Sequence, residues 1–175
     1  MIIVGNCGFD SRHRAGFDIR RPNGNGFYTL IFIKTEAFFE IDGEIVNTAP
    51  NTAILYDKTA YVHYGCHTQT YSDDWVRFDF AEEENLVEKL SLPLNRPFPL
   101  TDTTLLTEYI KIIVSKNFST HLYKEQLMDA LMHALLYSLA GQIHASGDER
   151  RKNKYFPLFS QIRMNIRNAP HKKWD

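Results

Sequence analysis

Cysteine is scarce in this chain: Cys7 and Cys66 are the two in 175 residues. They form no CxxC and no Cys/His set with zinc-finger spacing, which excludes a disulfide framework and the common structural zinc sites. Two free thiols in a reducing cytoplasm are the simplest expectation. Long apolar runs are also missing. Ile2, Ile3 and Val4 are followed at once by Gly5, too short a run for the core of a secretion signal. No stretch approaches the roughly 18 apolar residues of a membrane span, so the chain is expected to be cytoplasmic with no membrane partner. Charge of one sign is lacking as well. The net charge is −1, whereas a domain that binds DNA by itself shows a basic surface. The basic clusters SRHRAGFDIRR and RRKNK read as solvated loops. There is no GxSxG, and GNG at 24–26 is not followed by a helix, so neither a serine-hydrolase elbow nor a phosphate loop is present.

What the chain has is aromatic side chains, 13% of residues within a globular 43% apolar composition. The length suits one domain. The first half reads as short strands: FYTLIFIK (27–34), AFFEIDGEIV (37–46) folded about Asp42-Gly43, TAILYD (52–57), YVHYG (61–65) and DWVRFDF (74–80). β-branched and aromatic residues separated by turn signals at this spacing predict a β-sandwich or barrel. The second half reads as helices. EEENLVEKLSL predicts a short one, acidic in its first turn. RPFPL, with its prolines, predicts an extended piece at a sheet edge. A helix capped by Thr101 or Asp102 is expected to bury Leu106, Ile110 and Ile113 or Val114 and to end near Phe118. A longer helix is expected over about 120–145, and a last one over about 156–167. Residues 1–18 hold three glycines and little periodicity and are expected to be a mobile arm.

The stretch HYGCHTQTYSDDWVRFDF (63–80) carries the functional question. His63 and His67 have the spacing of a helical metal pair, but Gly65 breaks a helix, and on a strand the two rings would lie roughly 13 Å apart. No metal and no cofactor is therefore expected. On strand 73–80 the alternation puts Val76, Phe78 and Phe80 on a core face and Asp73, Trp75, Arg77 and Asp79 on the other. Facing solvent, the second set is a charged surface with one Trp. Lining a barrel, it is an aromatic plate with a cation and an anion beside it, the composition of a sugar site.

Arg21-Pro22-Asn23-Gly24 leading to Tyr28, then His63-Tyr64-Gly65 with His67, then Trp75-Val76-x-Phe78, and finally LPLNRPFPL opening the helical half, together resemble the N-terminal effector-binding and dimerisation domain of AraC-type bacterial transcriptional regulators. The likeness runs from about Cys7-Gly8 to Trp174 and rests on order and spacing. It implies an α+β fold: a cupin-like, jelly-roll-like β-barrel (19–100) behind an N-terminal arm (1–18), followed by a helical dimerisation region (101–175). It implies a small-molecule effector, expected to be a carbohydrate, a sugar or sugar acid, and no enzymatic activity. DNA contact would belong to a C-terminal helix-turn-helix domain that these 175 residues do not contain. By position the resemblance assigns Arg21, Tyr64, Asp73 and Trp75 to the ligand. Arg77 joins them from the strand face, where it is expected to hold Asp73 ionised, and Cys7 joins as an arm residue near the pocket mouth. Asp73 stands where the arabinose regulator uses a His, a departure that puts arabinose itself in doubt. On the helix over 120–145, Leu127, Leu131 and Leu135 with Met128 and Met132 are expected to pair two copies into a homodimer. The competing expectation is a metal-dependent cupin enzyme such as a sugar isomerase or dioxygenase.

Overall fold

The computed structural model describes residues 1–81 and 85–145. Met1–Ile143 form one compact unit; of the second, His144–Asp175, only the first two residues are among those described. The helix expected over 156–167 and Trp174 lie outside the described residues, as do residues 82–84 ahead of the first helix.

The strands are β1 (Ile2–His13), β2 (Phe17–Arg21), β3 (Tyr28–Ile33), β4 (Ala37–Ile41), β5 (Glu44–Thr48), β6 (Thr52–Tyr56), β7 (Val62–Cys66), β8 (Tyr71–Phe80) and β9 (Phe98–Pro99). The helices are α1 (Leu86–Lys89), α2 (Thr104–Asn117) and α3 (Lys124–His144). One sheet has the order β1-β8-β3-β6-β9 and the other β2-β7-β4-β5. The pairings are antiparallel: β1 with β8, β2 with β7, β3 with β6 and β4 with β5 are nested, β3 with β8 and β4 with β7 join them into sheets, and β9 adds to β6. That is a hairpin of strands rolled into two facing sheets, the jelly-roll plan of the cupins.

β3 shows why the first long strand is apolar without interruption. Tyr28, Leu30 and Phe32 face the helices, Thr29, Ile31 and Ile33 face the barrel, and all six are buried. A strand covered on both sides has no solvent face to mark with polar residues. The chain thus has two apolar centres. One lies between the five-stranded sheet and the helices, where Leu30, Val76 and Phe78 meet Leu106, Ile110 and Ile113 of α2 and Met128, Met132 and Leu135 of α3. The other is inside the barrel, built from Ile31, Ile33, Phe39, Ile54, Tyr56, Tyr64 and Tyr71.

Local signals behave as their chemistry requires. Asp42 (φ 53°) and Gly43 (φ 83°) both take the left-handed conformation that a two-residue hairpin needs. Asn51 does so too at φ 63°, while its N–H and C=O bond Ile33 and Leu100. The RPFPL segment supplies β9, a two-residue edge strand on β6. The α2 cap is displaced by one or two residues from expectation: Thr103 is the N-cap, and Asp102 accepts the N–H of Thr104 at 2.9 Å.

Two expectations are corrected here. Residues 1–18 are no arm: β1 runs twelve residues along β8, and β2 begins at Phe17. Register breaks between Val4 and Cys7 and between Gly8 and Ser11 scramble the alternation, so a period-two signal was absent from a real strand. The proposed dimer stripe is the second. Met128 (3% exposed), Met132 (0%) and Leu135 (0%) are consumed by the chain's own core. Leu127 and Leu131 are only partly buried. The broad apolar arc of α3 follows from its having to meet the sheet and the other helices at once.

Candidate functional site

Between the two sheets lies a cavity of about 390 Å³ whose walls include Arg21, Tyr64, Asp73, Trp75 and Arg77. Side chains from three strands converge there because the jelly roll sets β2 and β7 of one sheet opposite β8 of the other. Strand alternation then selects odd positions of β8 (Asp73, Trp75, Arg77) for the cavity and sends Asp74, Val76 and Phe78 to the helices.

Cys7 does not join them. It pairs with Val76 in the ladder, packs on the helix-side core, and receives the Asn117 amide of α2 at 3.5 Å. Placing it at the pocket mouth is therefore corrected: the bulge that follows Val4 turns Cys7 to the helix side. Burial pushes its thiol above the ordinary range.

Trp75 is held as a plate. Its indole N–H donates to Ser11 Oγ at 3.1 Å, and the Arg77 guanidinium lies over its ring at 5.3 Å. Gly8 makes room for it: a Cβ there would stand 2.4 Å from Trp75 Nε1. The strand taken for an arm is therefore part of the site, and Ser11, His13 and Asn6 line the cavity from it. Asn25 and Thr29, joined by a hydrogen bond of 3.1 Å, add polar groups from the RPNG loop and β3. The sequence offered little to find these, since a Ser or Asn on a bulged strand looks like any solvated residue.

Aromatic rings close the inner end. Phe17 stacks on Tyr71 at 4.7 Å and on His13 at 3.9 Å, and Tyr64 lies against Phe39 at 5.8 Å. Burial drives the hydroxyls of Tyr56, Tyr64 and Tyr71 far above their ordinary range, so all three stay protonated. Tyr71 donates to Asp73 Oδ2 at 2.9 Å.

Asp73 departs from expectation. Burial pushes its pKa up to about 7, the Tyr71 hydrogen bond opposes that, and the neighbouring Asp74 carboxylate adds to it. Arg77 does not hold it ionised. The Arg77 guanidinium is itself shifted down by burial and by Arg21, a like charge across the cavity. Neither arginine is ion-paired to a carboxylate among the described residues. Four buried side-chain polar atoms among the described residues lack a hydrogen-bond partner, and three of them, Asn25 Oδ1, Asp73 Oδ1 and Arg77 Nε, belong to cavity-lining residues. The fourth is the Tyr56 hydroxyl, in the barrel core beside Tyr64.

His63 and His67 point away from this cavity. His63 sits between Glu40 Oε2 (2.6 Å) and Asp18 Oδ1 (3.1 Å), and its pKa is raised chiefly by Glu40. His67 stacks on Phe38 at 4.4 Å. Among the described residues no three His, Cys, Asp or Glu side chains come together as a metal-holding group. No described helix is long and apolar enough to cross a membrane.

Asp74 was not singled out from the sequence. It is fully buried on the helix side, bonded to Lys34 Nζ at 2.7 Å, to the Asp10 N–H at 2.7 Å and to Thr107 Oγ1 of α2 at 3.1 Å. Adjacent carboxylates on β8 thus face the cavity and the helix layer.

No family model matches the sequence, and no curated protein matches it. In three dimensions the chain is similar to the AraC-like transcriptional activator CuxR, at 13% identity and a TM-score of 0.47, over 85% of this chain and 54% of that one. It is similar to ToxT from Vibrio cholerae at 9% identity and a TM-score of 0.46, over 100% of this chain and 67% of that one. A cupin_2 domain of an XRE family transcriptional regulator from Enterobacter cloacae is similar at 14% identity and a TM-score of 0.34, over 41% of this chain and 77% of that one. The chain thus spans about half the length of CuxR.

Proposed function

We propose that this chain is the small-molecule sensing domain of an AraC-type transcriptional regulator, with a sugar or related polyol as effector in the jelly-roll cavity. The observation that supports it best is the coincidence of an aromatic plate, Trp75, with unpartnered polar atoms on Asp73, Arg77 and Asn25 around one cavity. Buried polar groups without partners are costly, and a polyol supplies many donors and acceptors at close spacing. The role in this reading is binding: Ser11 Oγ accepts from the Trp75 indole, and among the described residues no hydrogen bond joins it to His13.

In this reading the barrel, β1 included, holds the effector, and the helical region from 101 onward carries the response. Two copies pair through α3, using the partly exposed Leu127 and Leu131. DNA contact belongs to a separate helix-turn-helix domain, as the sequence resemblance implies.

A screen of sugars and sugar acids tests the sensing role, read by melting temperature and by tryptophan fluorescence with Trp174→Phe as background. Binding is expected between micromolar and millimolar, roughly −4 to −8 kcal/mol. A screen without any shift in either signal removes the reading. Stoichiometric tightly bound iron, manganese, nickel or zinc in the purified protein would favour a metal-dependent cupin enzyme instead.

A further inference from the structure

Resting on that sensing role, we infer that the effector is an anionic polyol, a sugar acid or sugar phosphate, whose oxyanion is held jointly by Arg21 and Arg77 while Trp75 supports its carbon face. The charges that face the cavity decide this. Arg21 comes from β2 and Arg77 from β8, on opposite sheets, and both line the same space. They are near enough that Arg21 disfavours the charge on Arg77. Arg77 is half-buried and Arg21 exposed, so the repulsion falls mainly on Arg77, and an anion between the two relieves it. Among the described residues no carboxylate supplies that anion, and Arg77 Nε has no hydrogen-bond partner there.

The other ionisable side chains on the walls do not cancel this charge. Asp73 lies deeper, beside Tyr71 and Tyr64, and below neutral pH it is largely protonated. His13, from β1, stacks on Phe17. A neutral sugar could hydrogen-bond Asn25, Thr29 and Asp73 equally well but would leave both guanidinium groups without an anion. An oxyanion can take the fork of each arginine. The cavity, about 390 Å³, is at the small end of ligand sites and exceeds what a bare inorganic anion fills, so the polar groups beyond the arginines are left for hydroxyls.

Calorimetric titration of the 175-residue chain with matched probes tests the inference: glucose, glucuronate and glucose 6-phosphate, then galactose, galacturonate and galactose 1-phosphate, all at equal ionic strength. At least one anion should bind about tenfold or more tightly than its neutral partner, the scale of one charge-assisted hydrogen bond. Whether the acid or the phosphate leads tells which oxyanion the site takes. Arg77→Met should bring the anion-to-neutral ratio close to one, whatever it does to the neutral sugar's own affinity; Arg77→Lys should keep part of the preference. Arg21→Met is the second variant should Arg77→Met not fold. Neutral sugars binding as tightly as their anions, or a preference that survives both variants, overturns the anion inference and leaves the sensing role standing. No binding by any probe overturns the anion inference, and the wider screen above then decides the sensing role by itself.

Discussion

Asp73→Asn should stabilise the protein at alkaline pH and do little in acid. The folded-state pKa is about 7 against an ordinary 3.8, with burial as the main cause. Between those values the native state keeps a proton that the unfolded chain has lost, so stability falls as pH rises through this window. It is fully retained below about pH 4 and lost by pH 7 to 8. At about 1.4 kcal/mol per pH unit the loss sums to roughly 4 kcal/mol, a large share of the 5–15 kcal/mol of an ordinary domain. Relaxation of the cavity and water entry on ionisation bring the expected figure to about 2–4 kcal/mol. Asn keeps the shape, and its carbonyl can still accept from Tyr71. Urea unfolding of both proteins at half-unit steps from pH 4.5 to 8.5 reads the effect as a difference, which cancels His63 and every other group common to both. The gap should open between pH 5 and 7 and level off above pH 8. A gap that stays constant across the range would show that Asp73 titrates like a solvated carboxylate, and the account of the cavity's charge would fail with it.

Gly8→Ala should disturb Trp75 without touching the ligand directly, because the new Cβ meets Nε1 at 2.4 Å and Ser11 Oγ at 2.7 Å; a shifted emission maximum and a loss of about 1–3 kcal/mol in denaturant unfolding are expected, and an unchanged spectrum would contradict the packing described. Met132→Ala should cost about 2–5 kcal/mol with no change in oligomeric state by light scattering, since Met132 is 0% exposed inside its own chain; dissociation of a dimer at unchanged stability would return it to an interface. Cys7 should react slowly with a disulfide reagent at pH 7 and faster as pH rises, because burial raises its pKa; its rate should not change when a binding sugar is added, and protection by the sugar would place it at the pocket after all.

Much of this molecule could be read from side-chain order alone. The buried run FYTLIFIK, the Asp42-Gly43 turn, the extended RPFPL edge and the α2 stripe of Leu106, Ile110 and Ile113 each follow from local chemistry, and each is where that chemistry put it. The alternation in DDWVRFDF also named which β8 residues share a face. What that face meets was a tertiary decision: whether Trp75 and Arg77 see solvent or a cavity depends on the strands rolled opposite them, and nothing within ten residues encodes that. Three readings failed for the same reason. A bulged strand has no period-two signal, so β1 looked like an arm and Cys7 like a pocket residue. A helix that packs against two partners looks like one with a face to spare, so Met128, Met132 and Leu135 looked like an interface. Arg77, two residues from Asp73, looked like its counter-ion, yet the Asp73 carboxyl is governed by burial, Tyr71 and Asp74. Spacing along a strand tells which side chains share a face; the charge each one carries is set by how much water the rest of the fold leaves around it.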